Sequence, residues 1–84
     1  MRLDQSLGAV LRAARKQRGL SQEALALEAG VERNYISLIE LGRNSPSVRV
    51  LFKLCTVLGV PPSTLFAQVE DQMRSGQRKR PGKR

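Results

Sequence analysis

Histidine and tryptophan are absent from the 84 residues, and cysteine occurs once, as Cys55 in the apolar run VLFKLCTVLGV. A single cysteine excludes an intramolecular disulfide, and without histidine the usual Cys/His metal sites cannot be assembled. A reducing cytoplasm fits that usage. Aromatic residues number only three, Tyr35, Phe52 and Phe66. The core must then be built from Leu, Val, Ile and Ala, which suits short packed helices better than a sheet. The same scarcity leaves no row of rings on which RNA bases could stack. Long hydrophobic runs are missing as well: charge interrupts each one far short of the roughly 20 residues that span a bilayer. The first ten residues, MRLDQSLGAV, lack a signal peptide's apolar run. The expectation is an all-α, soluble, cytoplasmic protein with no membrane association. No nucleophile stands beside a base, no glycine-rich phosphate loop is present, and the length allows one small domain. The chain is expected not to be an enzyme and to need no cofactor or metal.

What the sequence has in excess is positive charge, 15 Lys and Arg against 7 Asp and Glu. Six of the basic residues and none of the acidic ones fall in 74–84, RSGQRKRPGKR. A basic tail on a nearly balanced body is a footprint of nucleic-acid binding, and equally of a solvated terminus or of attraction to anionic membranes. Glycine, proline and uncompensated charge predict a disordered tail over 74–84, after a folded domain over 1–73.

Periodicity and punctuation divide that domain into five helices. Leu7, Val10, Leu11 and Ala14 recur at helical spacing, cations follow in the last turns, and Gly19 stops a first helix at about 5–18. Ser21 caps a second, 22–29, which ends at Gly30. Three residues later a third begins, 33–41, closed by Gly42. Two short helices joined by a short glycine-containing turn form the helix-turn-helix pattern. Ser47 caps a fourth helix that Gly59 ends, and Pro61 and Pro62 open a fifth.

The third helix carries Arg33, Asn34, Ser37 and Leu38 within an arc of roughly 140°, with Ile36 and Ile39 opposite. Arginine and asparagine can pair bidentately with guanine and adenine in the major groove, so the row is suited to reading base edges. The same row also suits any amphipathic surface helix. On the fifth helix Leu65, Phe66, Val69 and Met73, with Phe52 and Val57 on the fourth, offer more apolar surface than a terminal helix needs. These six residues are expected at a two-fold homodimer interface; the alternative is that they close the chain's own core.

Residues 7–66 resemble the phage-repressor and Cro type of helix-turn-helix proteins, also called the xenobiotic-response-element family. LGAVLRAARKQRGLSQEALALEAGV is similar to its first two helices, RNYISLIELGR to its recognition helix and exit, and SPSVRVLFKLCTVLGVPPSTLF to its last two. The resemblance implies a compact five-helix, lambda-repressor-like fold and a homodimeric transcriptional regulator, a repressor or autoregulator, whose partner is a near-palindromic double-stranded DNA operator. It implies phosphate contacts at Gln22, Arg43 and Asn44, base contacts at Arg33, Asn34, Ser37 and Leu38, and a flanking contact at Tyr35. It also implies a charged pair, Arg15 with Glu40, tying the first helix to the end of the third. The segment ERNYIS is similar to the recognition segment of restriction-modification controller proteins. Glu32 departs from the pattern, which often has Ser or Thr there as a cap. The rival reading is an antitoxin, which would add a second protein partner that it neutralises while repressing its own operon.

Overall fold

Each helix boundary is set by local chemistry that satisfies otherwise orphaned backbone groups. In the computed structural model, which describes the backbone of residues 2–78 and the side chains of residues 2–75, five helices follow one another: α1 (Arg2–Gln17), α2 (Gln22–Ala29), α3 (Arg33–Glu40), α4 (Val48–Leu58) and α5 (Pro62–Arg78). No strand occurs among the described residues, so the protein is all-α. The Ser21 hydroxyl accepts from the Ala24 N–H at 3.0 Å, and the Ser47 hydroxyl from the Val50 N–H at 3.2 Å. A side-chain cap of this kind contributes about 1 kcal/mol.

Two boundaries differ from expectation by more than one residue. α1 starts at Arg2 rather than near residue 5: Asp4 in its first turn favours the positive end of the helix, whereas Leu3 is 48% exposed and adds nothing to the buried stripe that periodicity detects. α5 continues to Arg78, so residues 74–78 of the expected tail belong to a helix. Arg74 donates to Asp71 at 2.7 Å, an exposed pair one turn apart that adds little stability. The rest of the tail, residues 79–84, lies outside the described residues.

All five helices feed one core. Leu11, Leu25, Ile36, Ile39, Leu54 and Leu65 are its most completely buried large side chains. α1 packs against α3 and α5, α2 against α3 and α4, and α4 against α5. Cys55 is buried among them as a small apolar residue, and burial pushes its thiol pKa up. No single helix among the described residues is long and apolar enough to cross a membrane.

The contact that fixes α3 is a close approach by α1. A Cβ on Gly8 would lie 2.7 Å from the Glu40 carbonyl oxygen and closer still to that of Ile39. Glycine is therefore what lets the middle of α1 meet the C-terminal turn of α3. With Ile36 and Ile39 in the core, α3 has one face fixed against the protein and the other turned outward.

Candidate nucleic-acid interface

α2 and α3 are joined through Gly30, Val31 and Glu32. Gly30 has φ +74°, and the chain turns there while the Val31 N–H returns to the Ala26 carbonyl at 2.9 Å. This is a C-terminal cap in the left-handed region that favours glycine. Glu32 occupies the N-cap of α3 in an extended conformation, and its side chain makes no capping hydrogen bond. A carboxylate longer than that of Asp is a poor N-cap acceptor.

On the outer side of α3, Arg33 and Asn34 are exposed, and Ser37 and Leu38 are partly exposed. Tyr35, at the flank, packs partly against the core. Gln22 stands half-exposed at the first position of α2. Arg43, one residue past Gly42, is exposed. Asn44 accepts the Ser45 N–H on its Oδ1 at 3.0 Å, which leaves its NH2 group as the donor it can offer a ligand.

Behind the row lies a polar network. Arg15 Nε donates to Glu40 Oε2 at 2.6 Å, Arg15 Nη2 to Glu40 Oε1 at 3.0 Å, and Arg15 Nη1 to the Leu20 carbonyl at 2.8 Å. The two side chains are 9% and 4% exposed, so the pair is buried. The bonded Glu40 carboxylate raises the Arg15 pKa above its ordinary value against the opposing effect of burial. Gln22 Nε2 also donates to Glu40 Oε1, at 3.0 Å, and Arg33 Nη1 approaches Gln22 Oε1 at 3.4 Å.

A groove of about 190 Å³ beside this network is lined by Arg12, Gln22, Ser37, Glu40 and Leu41. Arg12 is the residue that sequence reasoning missed. It lies one turn before Arg15 on α1, and only the crossing of α1 over α3 brings it beside Gln22 and Ser37. The sequence offers just a cluster of cations near a helix end.

The six residues expected at a dimer interface separate into two groups. Leu65 is 0% and Val69 3% exposed, so both belong to the chain's own core and are corrected to it. They form the stripe of α5 that packs inward, whereas Phe66, one position further round the helix, is 48% exposed. Phe52 is 51% exposed, and Val57 and Met73 are partly buried at the edge of the core.

Residues 11–65, which include the whole of α2, α3 and α4, match the helix-turn-helix family model. The chain belongs to the helix-turn-helix family, and its domain is of the xenobiotic-response-element type. It is 35% identical over 72 residues to the transcriptional regulator ClgR of Mycobacterium tuberculosis, covering 86% of this chain and 64% of that protein. It is 41% identical over 61 residues to the regulator SlrR of Bacillus subtilis, covering 71% of this chain and 40% of that one. The chain thus spans between 40% and 64% of the length of these two relatives. Among solved structures, the clp gene regulator ClgR from Corynebacterium glutamicum superposes with a TM-score of 0.89 at 28% identity, covering 92% of this chain and 82% of that one. The restriction-modification controller protein C.AhdI from Aeromonas hydrophila gives 0.73 at 38% identity, over 75% and 96% of the two chains. The controller protein C.Esp1396I, as a tetramer in complex with its natural 35 base-pair operator, gives 0.78 at 25% identity, over 86% and 95%.

Proposed function

We propose that this protein is a sequence-specific double-stranded DNA-binding regulator of transcription, a repressor or autoregulator, that reads a near-palindromic operator as a homodimer. The observation that carries the reading is the two-sidedness of α3: Ile36 and Ile39 are sealed in the core while Arg33, Asn34, Ser37 and Leu38 share the outer side. A helix held from behind in this way can enter a major groove with its first turn against base edges. Arg33 and Asn34 would make the bidentate contacts, Ser37 a single hydrogen bond, and Leu38 a contact with a thymine methyl. Arg43 and Asn44 beyond α3, the α2 N-terminus at Gln22, and Arg12 on α1 would grip phosphates. Tyr35 would reach the backbone from the flank. That C.Esp1396I, a protein of similar fold and size, is found in complex with its operator supports the reading of this chain as a DNA-binding protein.

In the dimer, Phe52, Val57, Phe66 and Met73 would cover one another across a two-fold axis and set two α3 helices about 34 Å apart, one turn of DNA. The basic residues of 74–84 would add affinity without base preference, because cations release counterions wherever they meet phosphate. Selection of bound duplexes from a random pool tests the whole reading. The expected product is an inverted repeat with half-sites one helical turn apart. Recovery of sequences without a shared motif would reject sequence-specific binding, and enrichment of an isolated half-site would reject the dimer.

A further inference from the structure

We infer that Glu32 is a specificity-determining residue, whose carboxylate accepts a hydrogen bond from the exocyclic amine of one cytosine and repels DNA elsewhere. The inference rests on the base-reading role proposed for the first turn of α3 and deepens it. Two carboxylates bracket α3, one at each end. Glu40, at the last position, accepts from Arg15 Nε, Arg15 Nη2 and Gln22 Nε2, and its side chain is buried. Glu32, at the N-cap, is exposed, makes no capping hydrogen bond, and forms no ion pair among the described residues. Its oxygens are left to solvent or to a ligand.

The backbone of Glu32 starts the helix all the same. Its carbonyl accepts the Tyr35 N–H at 3.1 Å and the Ile36 N–H at 3.3 Å, so Glu32 is joined to the turn that carries Arg33 and Asn34. When the first turn of α3 enters a major groove, a residue at that place enters with it. There a carboxylate has one well-matched partner. It only accepts hydrogen bonds; guanine presents two acceptors in that groove and adenine sets its amine beside the N7 acceptor, whereas cytosine presents the N4 donor alone. Phosphates and base-edge acceptors repel the charge. Glu32 thus lowers binding to DNA at large, while a hydrogen bond at one base pair offsets that loss on the cognate site. Discrimination rises as raw affinity falls.

The test uses the full chain with Glu32→Gln, Glu32→Ser and, separately, Arg33→Ala, on the selected operator, on duplexes changed at one base pair at a time, and on scrambled DNA. Glu32→Gln should bind scrambled DNA about two- to fivefold more tightly at low salt, and the gain should fade as added salt screens the repulsion. It should also lose about three- to tenfold of the preference for cytosine at one position, as for a single hydrogen bond to a charged group. Glu32→Ser restores a capping hydroxyl, so it should raise the melting temperature and yet relax the same base preference. Were Glu32 only a poor cap, that variant would gain stability with every base preference intact, and the inference would be overturned. Equal gains on every duplex for Glu32→Gln would reduce the carboxylate to plain repulsion and overturn it too, as would no change on any duplex. In each of those outcomes Arg33→Ala still alters preference at its own base pair, and the reading of α3 stands. If Arg33→Ala also leaves every base preference unchanged, the reading itself fails and the inference with it.

Discussion

Arg15 and Arg33 are the same side chain in opposite situations. Arg15 makes three hydrogen bonds, two to Glu40 and one to the Leu20 carbonyl, and is buried. Arg33 is exposed and makes one long contact, to Gln22. All three nitrogens of the first guanidinium are engaged, two of them in joining α1 to the end of α3. The second keeps most of its donors free and is tethered only at one nitrogen. A charge that is satisfied internally holds the fold's geometry; a charge that is oriented but unsatisfied is available to a ligand. The Gln22 amide lies between the two and connects them.

Removal of the buried arginine should have the largest effect. Arg15→Ala leaves the Glu40 carboxylate buried without its partner, which should cost about 3 to 5 kcal/mol of folding stability by urea denaturation. Joint replacement of Arg15 and Glu40 by Met and Leu should cost less than either single truncation, because no orphaned charge remains. A loss below about 1 kcal/mol for Arg15→Ala would mean that the pair is not a structural element at all.

Next in size is the core stripe of α5. Leu65→Ala should destabilise the chain by about 2 to 5 kcal/mol, as expected for a large buried side chain. If Leu65 instead faced a second subunit, the same variant would change the oligomeric state with little effect on the unfolding of the monomer. Arg33→Ala should shift stability by less than about 0.5 kcal/mol while costing about 1 to 3 kcal/mol of binding to the cognate site.

The smallest effect on folding belongs to Phe66. Phe66→Glu places a charge on a half-exposed ring position and should leave stability within about 0.5 kcal/mol, yet move the sedimentation equilibrium toward monomer. A charge at Val69 would not serve for this purpose, since that residue is 3% exposed and its substitution would disrupt the core. A dimer that forms equally well with Phe66→Glu would remove α5 from the interface.

The contrast between the two arginines also marks where the sequence is legible. Ser21 with Gly30 and Ser47 with Gly59 give α2 and α4 their observed ends, because capping serines and left-handed glycines act locally. The outer row of α3 follows from helical period alone, and resemblance supplies the pairing of Arg15 with Glu40. The beginning of α1 and the end of α5 escape the pattern because neither is marked by a buried stripe or a glycine stop. Whether Leu65 and Val69 face a core or a partner depends on how α5 lies across α1, which periodicity does not encode. Arg12 and the double commitment of Gln22 depend on the distance between α1, α2 and α3, and no spacing within one helix carries that information.

On the function proposed for this chain, the outer row of α3 reads bases while the residues beyond it grip the backbone. Titration of Arg33→Ala and Arg43→Ala against the selected operator and a scrambled duplex of equal length tests it most directly. Arg33→Ala should lose affinity for the operator by about 1 to 3 kcal/mol and relax preference at one base pair, with a smaller loss on scrambled DNA. Arg43→Ala should weaken both duplexes alike. Equal losses on both duplexes for Arg33→Ala would assign that residue to the phosphate backbone and contradict the claim.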